Sequence, residues 1–270
     1  MTFERKYPVP LSALLLAPIV VREDLPRLAK APLVSARAMT DLAHFAGHRD
    51  GAIRTALSRL RASNTVETST DRDGVTRYRL TTLGRSIGTA VRGRPSRPSG
   101  LLLAVFSFTA DDTRERSTVR DALRLHGFQK LAQNVYVSGD LDTSALDELF
   151  EKEGLADNVF WFRARDDKDP RLLRRLGGVF DVEARAKTLA TVRDDLEQYL
   201  LAPKLEPLTR ARRFFYAGPV HYQVTFVEEP PLPAAVLPKD YPLDELLKLM
   251  STFARTHGSV LERWFETFAS

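Results

Sequence analysis

The chain has 270 residues, 43% of them hydrophobic, which is enough for two or three domains with ordinary cores. It has no cysteine, so disulfides, thiolate metal sites and cysteine nucleophiles are excluded. No apolar stretch approaches the roughly 20 residues that span a bilayer, and Pro18 interrupts the longest N-terminal one, Leu11 to Val21. We therefore expect no membrane segment and a cytoplasmic protein.

The positive charge is concentrated at the N-terminal end of the chain. Residues 1–100 carry 17 Lys and Arg against 8 Asp and Glu, residues 101–170 carry 9 against 14, and residues 171–270 carry 14 against 13. A local excess of cations is typical of a module that binds a polyanion, because neutralising phosphates releases counterions. This distribution predicts a nucleic acid as partner.

Residues 1–92 are predicted to form a winged helix-turn-helix. A first helix is expected over Arg37 to Gly47, where Gly47 would supply the left-handed stop. The next helix has apolar residues at helical spacing, so one of its faces should turn inward. These apolar residues are Ile53, Ala56, Leu57 and Leu60. The β-prone runs Val66 to Thr70 and Val75 to Leu80 should follow as a hairpin, the wing.

The outward face of the second helix has the chemistry with which a recognition helix reads DNA. Arginine forks bond guanine edges or phosphates, and small hydroxyl side chains allow a helix to lie deep in the major groove. An ordinary solvated helix would look partly similar, and that alternative stays open. The predicted base-edge contacts are Arg54 and Arg61; the predicted phosphate contacts are Arg49, Arg59, Arg72 and Arg77; Thr55 and Ser58 complete the face.

Residues 93–100 are predicted to be a linker, because Pro, Gly, Ser and Arg replace apolar residues there. Residues 101–170 should then form a ferredoxin-like domain, since their patterns follow the order β-α-β-β-α-β. The strands are expected at Leu101 to Phe108, Phe128 to Leu131, Asn134 to Val137 and Val159 to Arg165, and the helices at Ser117 to His126 and Thr143 to Glu153.

Residues 171–270 are predicted to form a mostly helical C-terminal domain, which makes the expected fold class α+β. A long helix fits Val182 to Leu201, and two amphipathic helices fit Pro242 to Arg255 and Ser259 to Phe268. Arg210 to Val227 fits helix or strand, and we favour helix. A proline-punctuated connector is expected at Glu229 to Pro242.

This C-terminal segment also concentrates aromatic and basic residues that could bind a small effector. An aromatic ligand needs apolar walls, and phosphates on it would need cations. The alternative is a core helix with a basic flank, and it stays open. The candidate effector residues are Arg212, Arg213, Phe215, Tyr216, His221 and Tyr222, with Phe214 beside them.

We predict no catalytic site, no cofactor and no metal site. Asp111 and Asp112 could hold Mg²⁺ for phosphodiester cleavage, but aspartates are common at turns and helix starts. The five histidines are scattered without metal-ligand spacing. No Gly-rich phosphate loop or nucleophile elbow is present in the sequence. A metal-dependent nuclease remains the alternative.

Three segments resemble the PaaX-type transcriptional repressors, which control phenylacetate and related aromatic catabolism. Ile53 to Ala62 with Tyr78 to Arg85 is similar to that family's recognition helix and wing exit; Arg116 to Ser138 resembles its central domain, related in fold to a small CRISPR adaptation protein; Pro230 to Pro242 resembles its proline-rich connector. The sequence departs from the family at Asn64-Thr65, where Gly and a large aromatic are expected, and at Asp73-Gly74-Val75 in the wing.

The resemblance implies a repressor of a catabolic operon that binds double-stranded DNA. It also implies a small effector, such as an acyl-coenzyme A thioester, that releases the protein from DNA. For a helix-turn-helix protein we further expect a homodimer on an inverted-repeat operator. The remaining alternative is a scaffold whose basic domain coats DNA without sequence preference.

Overall fold

The computed structural model describes residues 2–28, 30–71, 74–85, 98, 100–109, 111–165 and 169–269. Contacts group the chain into two compact units. Unit 1 consists of residues 1–93, 189–228 and 242–270, and unit 2 consists of residues 94–188 and 229–241. This grouping cuts across the three consecutive domains expected from the sequence, because most of the C-terminal helices join the N-terminal segment.

The helices are α1 (Phe3–Lys6), α2 (Leu11–Asp24), α3 (Ala36–Phe45), α4 (Asp50–Ala62), α5 (Thr113–Leu125), α6 (Ser144–Lys152), α7 (Pro170–Val179), α8 (Val182–Leu201), α9 (Pro207–Tyr222), α10 (Leu243–Thr256) and α11 (Gly258–Thr267). The strands are β1 (Val34–Ser35), β2 (Val66–Thr70), β3 (Thr76–Leu80), β4 (Gly100–Phe106), β5 (Gln129–Ala132), β6 (Val135–Gly139) and β7 (Val159–Arg165). The α+β class is confirmed.

The N-terminal part of unit 1 has the element order predicted for a winged helix-turn-helix. Helices α3 and α4 are followed by β2 and β3, and a short β1 pairs with β3 on its other side, so the antiparallel sheet has the order β1-β3-β2. Helix α2 lies in the core through Leu14, Leu15 and Ile19, which are at most 1% exposed. The apolar run Leu11 to Val21, where no membrane segment was expected, thus lies within a helix of this core.

Helix α9 connects the C-terminal part of unit 1 to these elements. It packs against α2, α3, α10 and α11, with Phe214, Phe215 and Tyr216 buried. A π-helical turn, Gln223–Val227, continues the chain from its end. The preference for helix over strand in this segment is therefore confirmed.

Unit 2 contains the predicted ferredoxin-like order. Its antiparallel sheet has the order β5-β6-β4-β7, and Leu102, Ala104 and Phe106 of β4 point into a core shared with α5 and α6. Strand β4 ends at Phe106 rather than Phe108, and α5 begins at Thr113 rather than Ser117. The start of α5 was predicted late because its first turn is polar, so the apolar periodicity begins only at Val119.

Candidate nucleic-acid interface

Helix α4 exposes the face that the sequence predicts for DNA. Its residues Ile53, Leu57 and Leu60 are buried, at 2%, 9% and 7% exposure. The outward residues Arg54, Thr55, Ser58, Arg59 and Arg61 are all exposed. Arg54, Ser58 and Arg61 follow each other at i, i+4 and i+7, so they form one row along the helix. This row and its flanks make a positively charged ridge with short side chains between the arginines.

The two helices of the motif end in the same way, with a residue in the left-handed conformation. After α3, Gly47 has φ +85°, and the His48 amide donates to the Ala43 carbonyl at 3.0 Å. After α4, Asn64 has φ 53°, and the Thr65 amide donates to the Leu60 carbonyl at 3.0 Å. Both are Schellman-type ends. Asn64, where the family resemblance led us to expect glycine, therefore supports the same left-handed backbone.

Most of the predicted cations of this surface have no internal partner. Arg49, Arg54 and Arg59 make no side-chain hydrogen bond and no ion pair with any residue that the structure describes. Arg61 lies near β3: burial raises the pKa of Tyr78 and the charge of Arg61 opposes that rise. Unpaired arginines on an exposed helix keep their donors available for phosphate or base edges.

Arg77 does not belong to this surface. Its guanidinium bonds the Asp71 carboxylate at 2.7 to 2.8 Å and the carbonyls of Leu33 and Ala269, and its side chain is 16% exposed. The predicted phosphate contact of Arg77 is therefore not supported, because β3 is the central strand and Arg77 is enclosed by its neighbours. Arg72, the predicted wing-tip contact, lies outside the described residues.

Sequence reasoning missed one exposed cation beside the motif. Arg37 lies in the first turn of α3, is exposed and has no side-chain partner among the residues described. Arg37 does not belong to the apolar stripe of α3, and this position in the sequence pattern could have identified it as an exposed cation. Arg79 is exposed too, but it pairs with Glu67 across the strands at 2.8 Å.

The start of α4 is open toward solvent. A Cβ added at Gly51 would have no atom within 4 Å, and the Thr55 hydroxyl donates to the Gly51 carbonyl at 2.9 Å. Glycine in a helix costs roughly 0.5 to 1 kcal/mol relative to alanine. Since no internal contact requires glycine here, its absent side chain leaves room for an external surface.

Gly51→Ala is expected to raise the free energy of unfolding by about 0.5 to 1 kcal/mol and to weaken DNA binding. The added methyl group would stand between the helix and a groove floor. Urea unfolding and DNA titration would measure the two effects. Gly178→Ala in α7 is the matched control, since its Cβ would also meet nothing; it should stabilise without affecting DNA. Equal DNA affinity for Gly51→Ala and the unchanged chain would contradict close docking at this position.

The predicted effector residues do not come together as an open site. Phe215 is 0% exposed and packs on Trp264 with ring centroids 4.5 Å apart, and Phe214 stacks on Phe253 at 5.1 Å. Arg212 makes a bidentate pair with Asp41 of α3, at 2.6 and 2.8 Å. These contacts fit the alternative interpretation of a core helix with a basic flank. The Asp41 pair also joins α9 to α3.

Of the other candidates, Tyr216 and Arg213 face the N-terminal residues. The Tyr216 hydroxyl donates to the Tyr7 carbonyl at 3.1 Å, and Arg213 lies over the ring of Tyr199 at 4.7 Å. Tyr222 is 37% exposed at the end of α9. The structure thus divides the six predicted residues among the core, the N-terminal contact and the surface.

His221 is held neutral inside unit 1. Its Nε2 donates to the Leu246 carbonyl at 3.1 Å, and burial lowers its pKa from 6.5 to about 4, with that hydrogen bond opposing the shift. A neutral imidazole in this position is an internal hydrogen-bond donor rather than a cation for a phosphate.

Acid is therefore expected to weaken unit 1 through His221. Above pH 6.5 neither the folded nor the unfolded state binds the proton, so stability is unaffected. Between pH 6.5 and about 4 only the unfolded chain binds it, and the free energy of unfolding should fall by about 3 kcal/mol. Urea unfolding at a series of pH values would measure the loss. His221→Gln should remove this part of the slope; an identical slope in the variant would contradict the assignment.

The aspartate pair of the nuclease alternative forms a turn. The Asp112 carboxylate accepts hydrogen bonds from the Thr109 amide and hydroxyl, both at 2.8 Å, and these bonds lower its pKa. In the part of the chain that the structure describes, no three His, Cys, Asp or Glu side chains form a metal-binding group. Likewise, no described helix combines the length and apolarity of a bilayer span.

Comparison with known proteins identifies a matching family model and similar solved structures. Residues 102–173 match the family model of the PaaX protein central Cas2-like domain, so the resemblance predicted from the sequence is confirmed. The fold is similar to that of the uncharacterized protein Rv0674 from Mycobacterium tuberculosis, with 20% sequence identity, a TM-score of 0.61, and coverage of 94% of this chain and 99% of that one. None of the curated proteins compared with the chain matches it.

Proposed function

Since the chain carries the central Cas2-like domain of the PaaX protein, we propose that it is a cytoplasmic, DNA-binding transcriptional regulator. The observation that supports this proposal is the exposed face of α4. Arg54, Arg59 and Arg61 point outward there, on the side opposite the buried apolar residues of the helix. Two of them, Arg54 and Arg59, have no internal partner in the described chain. Arg54 and Arg61 would read base edges.

The cations around α4 would position the helix on DNA. Arg49 at its start, Arg59 on its flank and Arg37 at the start of α3 are exposed, and each would contact phosphate. Phosphate contacts fix register and orientation without carrying sequence information. Each such contact should contribute about 0.9 to the slope of log affinity against log salt.

Repression would be exerted by a homodimer on an inverted repeat, with one α4 in each half-site. Two-fold symmetry in the protein would be matched by the operator. A small ligand, such as an acyl-coenzyme A, would lower the affinity for DNA by changing how the two α4 helices of the homodimer align with the half-sites. A coupling free energy of about 1 to 3 kcal/mol is sufficient for such a response.

The contacts of α9 support this route of control. Because α9 bonds α3 through Arg212 and Asp41 at 2.6 and 2.8 Å, a shift of α9 would be transmitted to the helix-turn-helix. The pair is partly exposed, at 23% and 20% for the two side chains, so we treat it as an orienting contact rather than a major source of stability.

The test is capture of fragmented genomic DNA from the source organism by the full-length protein, followed by sequencing. The best fragment is then footprinted at physiological salt without Mg²⁺. One protected inverted repeat is the expected result, and the neighbouring genes then nominate the ligand to titrate. Uniform enrichment with no footprint would overturn sequence-specific regulation, and cleavage on addition of Mg²⁺ would point to the nuclease alternative.

A further inference from the structure

Residues 3–7 pack on an aromatic cluster of unit 1 that the DNA interface does not use. The ring of Phe3 stacks on Tyr199, with centroids 4.1 Å apart and planes at 14°, and it meets Tyr216 edge-on at 6.3 Å. The Tyr199 hydroxyl donates to the Glu4 carboxylate at 2.7 Å. A single tyrosine therefore holds an aromatic ring and a carboxylate from two successive residues.

A guanidinium without a counter-ion lies beside the same tyrosine. Arg213 is 4.7 Å from the centroid of the Tyr199 ring and donates to the Tyr199 carbonyl at 2.8 Å. Its Nε is buried without a hydrogen-bond partner, and no described residue makes an ion pair with it. A partly buried cation in this state favours an anion as neighbour.

The other contacts of residues 3–7 do not involve the face of Tyr199 on which the Phe3 ring stacks. Lys6 and the Tyr7 hydroxyl bond Asp195, and the Tyr216 hydroxyl reaches the backbone carbonyls of Tyr7 and Glu4 at 3.1 and 3.3 Å. The ring of Phe3 could leave Tyr199 while the Asp195 contacts remain. The cluster thus combines an aromatic surface, a phenolic donor and a cation that forms no ion pair with a described residue.

We propose that this cluster is a binding site for an aryl carboxylate and that Phe3 and Glu4 occupy it as an internal ligand. The incoming ring stacks on Tyr199 in place of Phe3, and the incoming carboxylate bonds the Tyr199 hydroxyl or Arg213. No covalent step is involved. Tyr216 and Arg213 were among the predicted effector residues; Tyr199 and Phe3 were not, because they come together only in the fold.

The regulatory meaning of this site rests on the proposed function, whereas its binding does not. Tyr216 and Arg213 lie on the same helix as Arg212, which bonds Asp41 in the helix-turn-helix. Replacement of Phe3 and Glu4 by an external aryl carboxylate would therefore change the contacts of α9, the helix that orients α3. The internal ligand stabilises the DNA-binding arrangement, and the external one releases it.

The test uses 3-phenylpropanoate as the probe on the full-length protein without DNA. Calorimetry measures its affinity, and hydrogen exchange follows the amides of Lys6 and Tyr7, which now bond the carbonyls of Thr2 and Phe3 at 3.1 and 2.9 Å. Binding should accelerate exchange at these amides. The uncharged 3-phenylpropanamide should bind much more weakly, because it gives Arg213 no anion.

Variants separate the internal ligand from the site. Phe3→Leu keeps apolar volume but loses the ring stack, so it should bind the probe roughly three- to tenfold more tightly. Tyr199→Phe keeps the stack but loses the donor and should bind it several-fold more weakly. Phe160→Leu, an exposed phenylalanine of unit 2 at 49% exposure, is the matched control and should change nothing.

Absence of binding by both the unchanged chain and Phe3→Leu at about 10 mM probe, beyond ordinary weak affinity, would overturn the proposal. Binding without faster exchange at residues 6 and 7, or equal affinity for the amide, would overturn it as well. The unchanged chain alone decides these last two outcomes if a variant fails to fold. A missing footprint on any DNA would instead overturn the proposed function and leave the site standing.

Discussion

Replacing Arg54 by alanine is expected to lower affinity for the operator by about 1 to 3 kcal/mol, roughly 5- to 150-fold, while affinity for random DNA falls far less. Arg54 is exposed on α4 with all its donors available in the described structure. A bidentate fork on a guanine edge is lost with the side chain, whereas one phosphate contact would be lost equally on every sequence. Fluorescence anisotropy with operator and scrambled duplexes at fixed salt measures the difference.

Arg114→Ala is the matched control for this prediction. Arg114 is also an exposed arginine of a helix, but that helix belongs to unit 2. It should leave both affinities nearly unchanged. If Arg54→Ala reduced operator and scrambled binding by the same factor, Arg54 would be a phosphate contact and specificity would have to come from Arg61 or from DNA shape.

Replacing Phe215 by alanine is expected to destabilise unit 1 by about 3 to 5 kcal/mol. The side chain is 0% exposed and contacts Trp264 and Phe265, with ring centroids 4.5 and 5.8 Å away. Its removal leaves a cavity in the centre of the packed helices and removes two aromatic pairs. Urea unfolding followed by circular dichroism measures the loss.

The same variant decides between the two interpretations of this segment. Phe162→Ala is the control, since Phe162 is 55% exposed in unit 2 and should cost less than about 1 kcal/mol. A Phe215→Ala protein of unchanged stability that had lost only its response to a ligand would restore the effector role predicted for this residue and contradict its assignment to the core.

Local patterns predicted most of the helices and strands, and the outward face of α4, because they depend on neighbours three or four residues apart. The spacing of Ile53, Leu57 and Leu60 was sufficient to orient Arg54. The left-handed stop at Gly47 followed from its residue type in the same way, and the structure confirms it with φ +85°.

Long-range packing could not be predicted in this way. The phosphate contact predicted for Arg77 requires an outward side chain, and the sequence does not reveal that β1 pairs with the other edge of that strand. In the same way, the aromatic run around Phe215 has the composition of a ligand pocket or a core, and only its partners Trp264 and Phe265 decide between them. The rings of Phe3 and Tyr199 stack although the two residues are 196 positions apart in the sequence. No helical or strand periodicity extends over that distance.

The three-segment make-up of unit 1 has a consequence for the order in which the protein folds. The buried Ser35 hydroxyl bonds the carbonyl of Phe268, and Arg77 bonds that of Ala269, so unit 1 is closed by contacts between residues 233 and 192 positions apart in the sequence. The segments of unit 2 lie closer together in the sequence, within residues 94–241. Because contacts between distant segments form slowly, unit 2 is expected to fold before unit 1, and the packing of α3 and β3 should be completed late in folding.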